Sequence, residues 1–89
     1  MMTRRTEVSE LKRAASRVGG VLVPWSAGYY EGFHVEAPLG KRWVDGGVMA
    51  LRVEWAQGDR GYKADAIQDA IDRVECGLRD ATPEELADE

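Results

Sequence analysis

The sequence predicts an α+β fold: a three- to four-stranded antiparallel sheet with two helices packed on one face, in the order α-β-β-(β)-β-α. Three observations predict it. Apolar residues recur at helical spacing in two stretches, one near each end of the chain. Between them lie short runs that alternate apolar and polar residues. The links between those runs are short and rich in Gly, Pro and Asp, which implies antiparallel pairing rather than crossovers. Strands with one apolar face need a cover, and the two amphipathic helices supply it.

Val8, Leu11, Ala15 and Val18, at spacings of 3, 4 and 3, form the stripe of the first helix. Thr6 is placed to cap it, Glu7 and Glu10 suit its positive end, and Gly19-Gly20 ends it. Val21-Leu22-Val23 reads as a buried strand, which Pro24 shortens or places at a sheet edge. "SAGYYEG" signals a turn. From Gly32 the alternation of Phe33, Val35 and Ala37 against His34 and Glu36 predicts a half-buried strand. "APLG" fits a type I turn, Arg42-Trp43-Val44 is a short strand at most, and "DGG" at 45–47 is a second turn signal. Val48 to Trp55 is the clearest strand, with Met49, Leu51, Val53 and Trp55 on one side. "AQGDRG" closes it. Ala64, Ile67, Ile71, Val74 and Leu78 then mark a helix of four to five turns. "TPEEL" carries a cap at Thr82, Pro83 at the first helical position and a capping-box Glu85, but so few residues remain that a frayed turn is expected. The division expected is a single compact domain over 1–80 and an acidic C-terminal tail over 81–89.

Eighty-nine residues suit one small domain with a thin core. The single Cys, Cys76, excludes an internal disulfide and fits a reducing compartment. No apolar run approaches the ~18 residues of a membrane span, and the cationic N-terminus lacks the apolar segment of a secretory signal. These features place the expected location in the cytoplasm. One His and one Cys give no zinc-ligand spacing, and "GDRGYK" lacks the Lys-Ser/Thr ending of a phosphate-binding loop. The expectation is a protein without catalytic residues, metal or cofactor.

Charge is polarised along the chain. Residues 1–20 sum to +3, residues 21–58 to −1 and residues 59–89 to −6. At 100° per residue, Asp65, Asp69, Asp72, Cys76 and Asp80 fall within about 80° of one another, opposite the apolar stripe. Such a strip can imitate a nucleic-acid backbone in a basic groove of another protein. The competing reading is a solvated face neutralised by the i,i+4 pairs Asp69–Arg73 and Glu75–Arg79. Tyr30, Lys41, Arg42 and Trp43 are candidate anchors, since aromatics and Arg are enriched at interface hot spots. A rival set, Arg13, Arg17, Lys41 and Arg42, would serve direct nucleic-acid binding. The α-β-β-β-α order resembles the double-stranded RNA-binding domain, but the helix that is basic in that family carries acids here.

"VEAPLGKRWVDGG-VMALRVEW", followed by a helix ending in "ECGLRD", resembles small uncharacterised proteins encoded on phages and prophages of GC-rich bacteria. The resemblance runs over roughly 33–80 and rests on Glu36, Ala37, Pro38, Gly40, Lys41, Trp43, Gly77 and Leu78. Such chains often end in a Cys-containing tail. This one has "ATPEELADE" instead, so any metal role of that tail does not carry over. The resemblance implies a bacterial host cell as the setting. It also implies an accessory protein that binds a host protein or ribonucleoprotein complex, as anti-CRISPR inhibitors do. Two other readings stand beside it: a small nucleic-acid-binding domain, and a homodimeric structural or scaffold protein.

Overall fold

A computed structural model describes residues 6–88. The element order is α1 (Val8–Ser16), β1 (Val21–Ala27), β2 (Tyr30–Glu36), β3 (Lys41–Trp43), β4 (Ala50–Ala56), α2 (Arg60–Glu75), β5 (Leu78–Asp80) and α3 (Pro83–Ala87). Strands β1, β2 and β4 form an antiparallel sheet in the order β1-β2-β4, and β3 pairs with β5 in a separate two-stranded ladder. The expected α+β class therefore holds, with the helices gathered on one face of the antiparallel sheet. Leu11 and Ala15 of α1, Val35 of β2, Leu51 and Trp55 of β4, and Ile67, Ile71 and Val74 of α2 close the core between sheet and helices.

Local chemistry sets most boundaries. Glu7, not Thr6, occupies the N-cap of α1, and its side chain makes no capping bond. The helix ends before Val18, which is left partly exposed. β1 and β2 are joined by Gly28-Tyr29 alone, with Ala27 opposite Tyr30. Gly28 has φ 58° and no other residue of this turn has positive φ, which fits a type II′ hairpin. Met49 lies one residue outside β4, and its side chain is exposed. α2 begins four residues before Ala64, because the Asp59 carboxylate accepts the Tyr62 N–H at 2.9 Å and caps it. It stops at Glu75. Gly77 turns the chain at φ 92°, so Leu78 and Asp80 enter β5 instead of continuing the helix.

The outer face of the sheet, away from the helices, is read from the register. Trp25, Gly32 and Glu54 form one row across it, and Val23, His34 and Arg52 the next. The Trp25 and His34 rings lie 5.8 Å apart, and the Arg52 guanidinium sits 5.1 Å from the Trp25 ring centre. The Val21, Glu36 and Ala50 row and the Ala27, Tyr30 and Ala56 row flank these two. β1 is an edge strand, as Pro24 foretold. The closing pair Ala27–Tyr30 sets the alternation, so Leu22, Pro24 and Ser26 turn their backbone groups outward. Pro24 has no N–H to offer, which blunts this edge against strand addition.

Residues 81–88 carry α3, which side-chain bonds tie to the β3–β5 ladder. Arg79 donates to both carboxylate oxygens of Glu85, at 2.8 and 3.0 Å. Thr82 and Glu85 complete a reciprocal capping box around α3. Arg42 reaches the Glu85 carbonyl at 3.3 Å, and Lys41 pairs with Asp80 across the β3–β5 ladder. The Arg79 bond, with help from the Thr82 N–H, lowers the Glu85 carboxyl from its ordinary 4.5 to about 2. The folded pKa lies below the unfolded one, so the clasp contributes its full stability above about pH 4.5 and loses it as pH falls toward 2. Asp80 is shifted in the same direction by Lys41. The stability difference between wild type and Glu85→Gln, followed by urea unfolding, should be constant above pH 5 and shrink steadily below pH 4.5. A difference that does not change with pH would mean Glu85 titrates alike in both states.

Candidate partner-binding surface

Helix α2 presents two faces. Ile67, Ala70, Ile71 and Val74 are buried against β4 and α1. Asp65, Asp69 and Asp72 are exposed on the other side, with about 6 and then 4.5 Å of rise between them. Cys76 is exposed at the C-cap and donates its Sγ–H to the Asp72 carbonyl at 3.4 Å. Asp80, expected on the same ridge, is not on the helix. It belongs to β5 and is paired with Lys41, because Gly77 breaks the helical register.

The cations expected to neutralise the strip are engaged elsewhere. The Arg73 Nε lies 3.5 Å from the Asp45 carboxylate in the loop after β3, and Arg79 is held by Glu85. Gln68 donates its amide to Asp72 at 3.1 Å.

Beside this strip runs a groove of about 310 Å³ between α2 and β4, bounded by Val53, Tyr62, Asp65, Ala66, Asp69 and Ala70. Ala66 and Ala70 are small, which keeps it open. Tyr62 stands exposed at its mouth. β4 is the other edge of the sheet. Val53 points its backbone toward Phe33 of β2, so Arg52 and Glu54 point theirs away from β2, along the groove. Among the described residues no backbone bond reaches Arg52 or Glu54 from that side. Unlike β1, this edge carries no proline. An unpaired strand edge beside an acidic helix wall can accept an extended, basic segment by strand addition.

The anchors predicted from sequence are not brought together. Trp43 is fully buried, and its Nε1–H donates to the Val35 carbonyl at 2.8 Å. Arg42 is 5% exposed and is held by the Lys41 and Glu85 carbonyls. Lys41 is engaged by Asp80. Pairing with β5, which sequence periodicity did not reveal, turns Arg42 and Trp43 into the junction between the β3–β5 ladder and the core, and sets Lys41 against Asp80 at the surface. Tyr30 is 50% exposed on the outer face of the sheet, far along β2 from β3. Of the residues proposed for nucleic acid, Arg13 and Arg17 are exposed on α1 and at its end, but Lys41 and Arg42 are committed internally. Arg4 and Arg5, part of the same basic end, lie outside the described residues.

A second cleft, of about 430 Å³, lies among Val8, Phe33, Trp55, Glu31 and Lys63. Two of its polar groups engage Trp55: the indole donates to Glu31 at 3.1 Å, and the Lys63 ammonium sits 5.3 Å from the ring centre. Among the described residues no group of three or more His, Cys, Asp or Glu could hold a metal ion, and no helix is long and apolar enough to cross a membrane. No family model, curated protein or solved structure matches the chain.

Proposed function

We propose that this chain is a non-catalytic accessory protein of a phage or mobile element that binds a host protein and inhibits a host defence complex of the CRISPR type. It would act in the cytoplasm of the bacterial cell, by occupying a site that normally receives nucleic acid or a basic partner segment. One observation supports this reading above the others. Asp65, Asp69 and Asp72 lie exposed along one side of α2, beside a strand edge that no backbone bond reaches among the described residues. The charge would orient a basic partner, and the edge and Tyr62 would hold it. The phage setting comes from the sequence resemblance, and the binding surface comes from the geometry.

The test is capture from host lysate with mass-spectrometric identification, followed by the same capture with Asp65→Lys plus Asp69→Lys. Wild type should retain a defence-complex subunit and suppress interference in a phage-plating assay. The double variant, folded by circular dichroism, should lose at least tenfold in both. Undiminished capture and inhibition by the variant would overturn the role of this surface.

A further inference from the structure

β1 is apolar on both of its faces, a pattern of strands covered from two sides. The core covers only one. Val21 is 58% exposed and Val23 36%, and Tyr30 is exposed on the same outer face, at its other end. A half-solvated antiparallel sheet ordinarily turns polar residues outward, as β2 and β4 do here, and β1 does not.

The order of residues on that face points to what covers it. The four rows across the sheet run Val21–Glu36–Ala50, Val23–His34–Arg52, Trp25–Gly32–Glu54 and Ala27–Tyr30–Ala56. A two-fold axis lying between the second and third rows, perpendicular to the strands, exchanges second with third and first with fourth. Under that operation Arg52 of one copy faces Glu54 of the other, and the pair occurs twice. His34 stands over the space left by Gly32, Trp25 over Val23, and Val21 over Ala27. The Tyr30 hydroxyl faces the Glu36 carboxylate. Arg52 meets Glu54, and His34 and Val21 each meet a smaller residue, a self-complementary pattern of the kind an isologous interface requires.

We propose that the outer sheet face is a homodimer interface, in which two copies pack sheet on sheet about this axis. Aligned sheets pack about 10 Å apart, a spacing these side chains can fill. The footprint is about 23 by 14 Å from strand length and spacing, small for a stable complex. The dimer is therefore expected to be weak, with a dissociation constant on the order of 10 µM, and to show as a concentration-dependent mass. Arg52 and Glu54 also border the groove beside Asp65 and Asp69, so the test reads mass in the purified chain, where failure of this inference and failure of the proposed function are distinguishable.

Sedimentation equilibrium of the purified chain tests it. Wild type should move from 9.9 kDa toward twice that mass between about 1 µM and 1 mM. Arg52→Glu and Glu54→Arg should each raise the dissociation constant at least tenfold, because like charges then face each other. The swapped double variant, Arg52→Glu with Glu54→Arg, should restore it to within about threefold, since the two-fold axis re-pairs the charges. Asp65→Lys with Asp69→Lys should leave the mass curve unchanged. Circular dichroism of each variant separates loss of pairing from loss of fold. A wild type that stays at 9.9 kDa up to 1 mM overturns the proposal. So does a dimer that neither single variant weakens, or a swap that stays monomeric. A monomer whose outer face is protected only by a foreign protein overturns it as well.

Discussion

Trp43→Ala should abolish cooperative folding at 25 °C. The indole is wholly buried at the junction of β3, β2 and the end of α1. A Cβ built on Gly20 would already stand 3.1 Å from its ring, so the chain is packed closely around it. Removing a buried Trp side chain costs about 3–5 kcal/mol in lost burial and cavity. The Val35 carbonyl would also lose the indole N–H, which adds roughly 1–3 kcal/mol if no other donor replaces it. A domain of this length has only about 4–13 kcal/mol of stability, so the sum takes much or all of it. Trp43→Phe keeps most of the ring volume and loses only the hydrogen bond. It should remain folded with a lower urea midpoint. Urea unfolding monitored by far-UV circular dichroism distinguishes the two, and a cooperative transition of near wild-type midpoint in Trp43→Ala would show that the site collapses without cost.

Gly32→Ala should be nearly as damaging, although a methyl group is all it adds. A Cβ at this position would lie 1.8 Å from the Val53 carbonyl oxygen and 2.8 Å from its carbon. Both are backbone atoms of the neighbouring strand, so no side chain can swing aside. β2 and β4 would have to separate at the middle of their ladder, where Phe33 and Val53 also meet on the core side. Overpacking in a well-filled site costs about 1–3 kcal/mol, and a backbone that cannot yield places this substitution at or above the upper end. Gly58→Ala is a useful contrast. Its added Cβ would meet no neighbouring atom within 4 Å, and only the backbone strain of φ 85° would be felt. Gly32→Ala should lower the thermal midpoint well beyond Gly58→Ala. Equal effects would mean that the close approach of β2 and β4 relaxes freely.

Much of the fold is legible in the sequence because periodicity reports burial on one side of an element. Leu11 and Ala15, Val35, Leu51 and Val53, and Ile67, Ile71 and Val74 were all placed by spacing, and all are buried. The α3 cap was legible for a different reason: Thr82, Pro83 and Glu85 interact within one turn, and local chemistry is written locally. Where spacing failed, a non-local partner had intervened. Leu78 continues the helical spacing of α2, yet pairing with Trp43 across the β3–β5 ladder draws it into a strand. Val21 and Val23 read as buried because β-branched runs usually are, but they lie on the outer face of the sheet, away from the helices. The candidate site shows the same division. The exposure of Asp65, Asp69 and Asp72 followed from the helical wheel, whereas the displacement of Asp80, its pairing with Lys41 and the inward turn of Arg42 and Trp43 did not.

What the sequence by itself determined is therefore the class of fold, the core-facing stripes, the hairpin turns and the polarity of charge along the chain. Each of these depends on residues within one or two turns of each other, or on a simple sum. The tertiary structure alone decided which cations reach which carboxylates, which strand edge stays open, and which aromatic is core. Those outcomes depend on pairs such as Arg73 with Asp45 and Lys41 with Asp80, separated by 28 and 39 residues. No periodicity records such a pair. Long-range contact turned an apparent recognition tip, Lys41-Arg42-Trp43, into the hinge of the core. It left the acidic face of α2 exposed beside an edge strand.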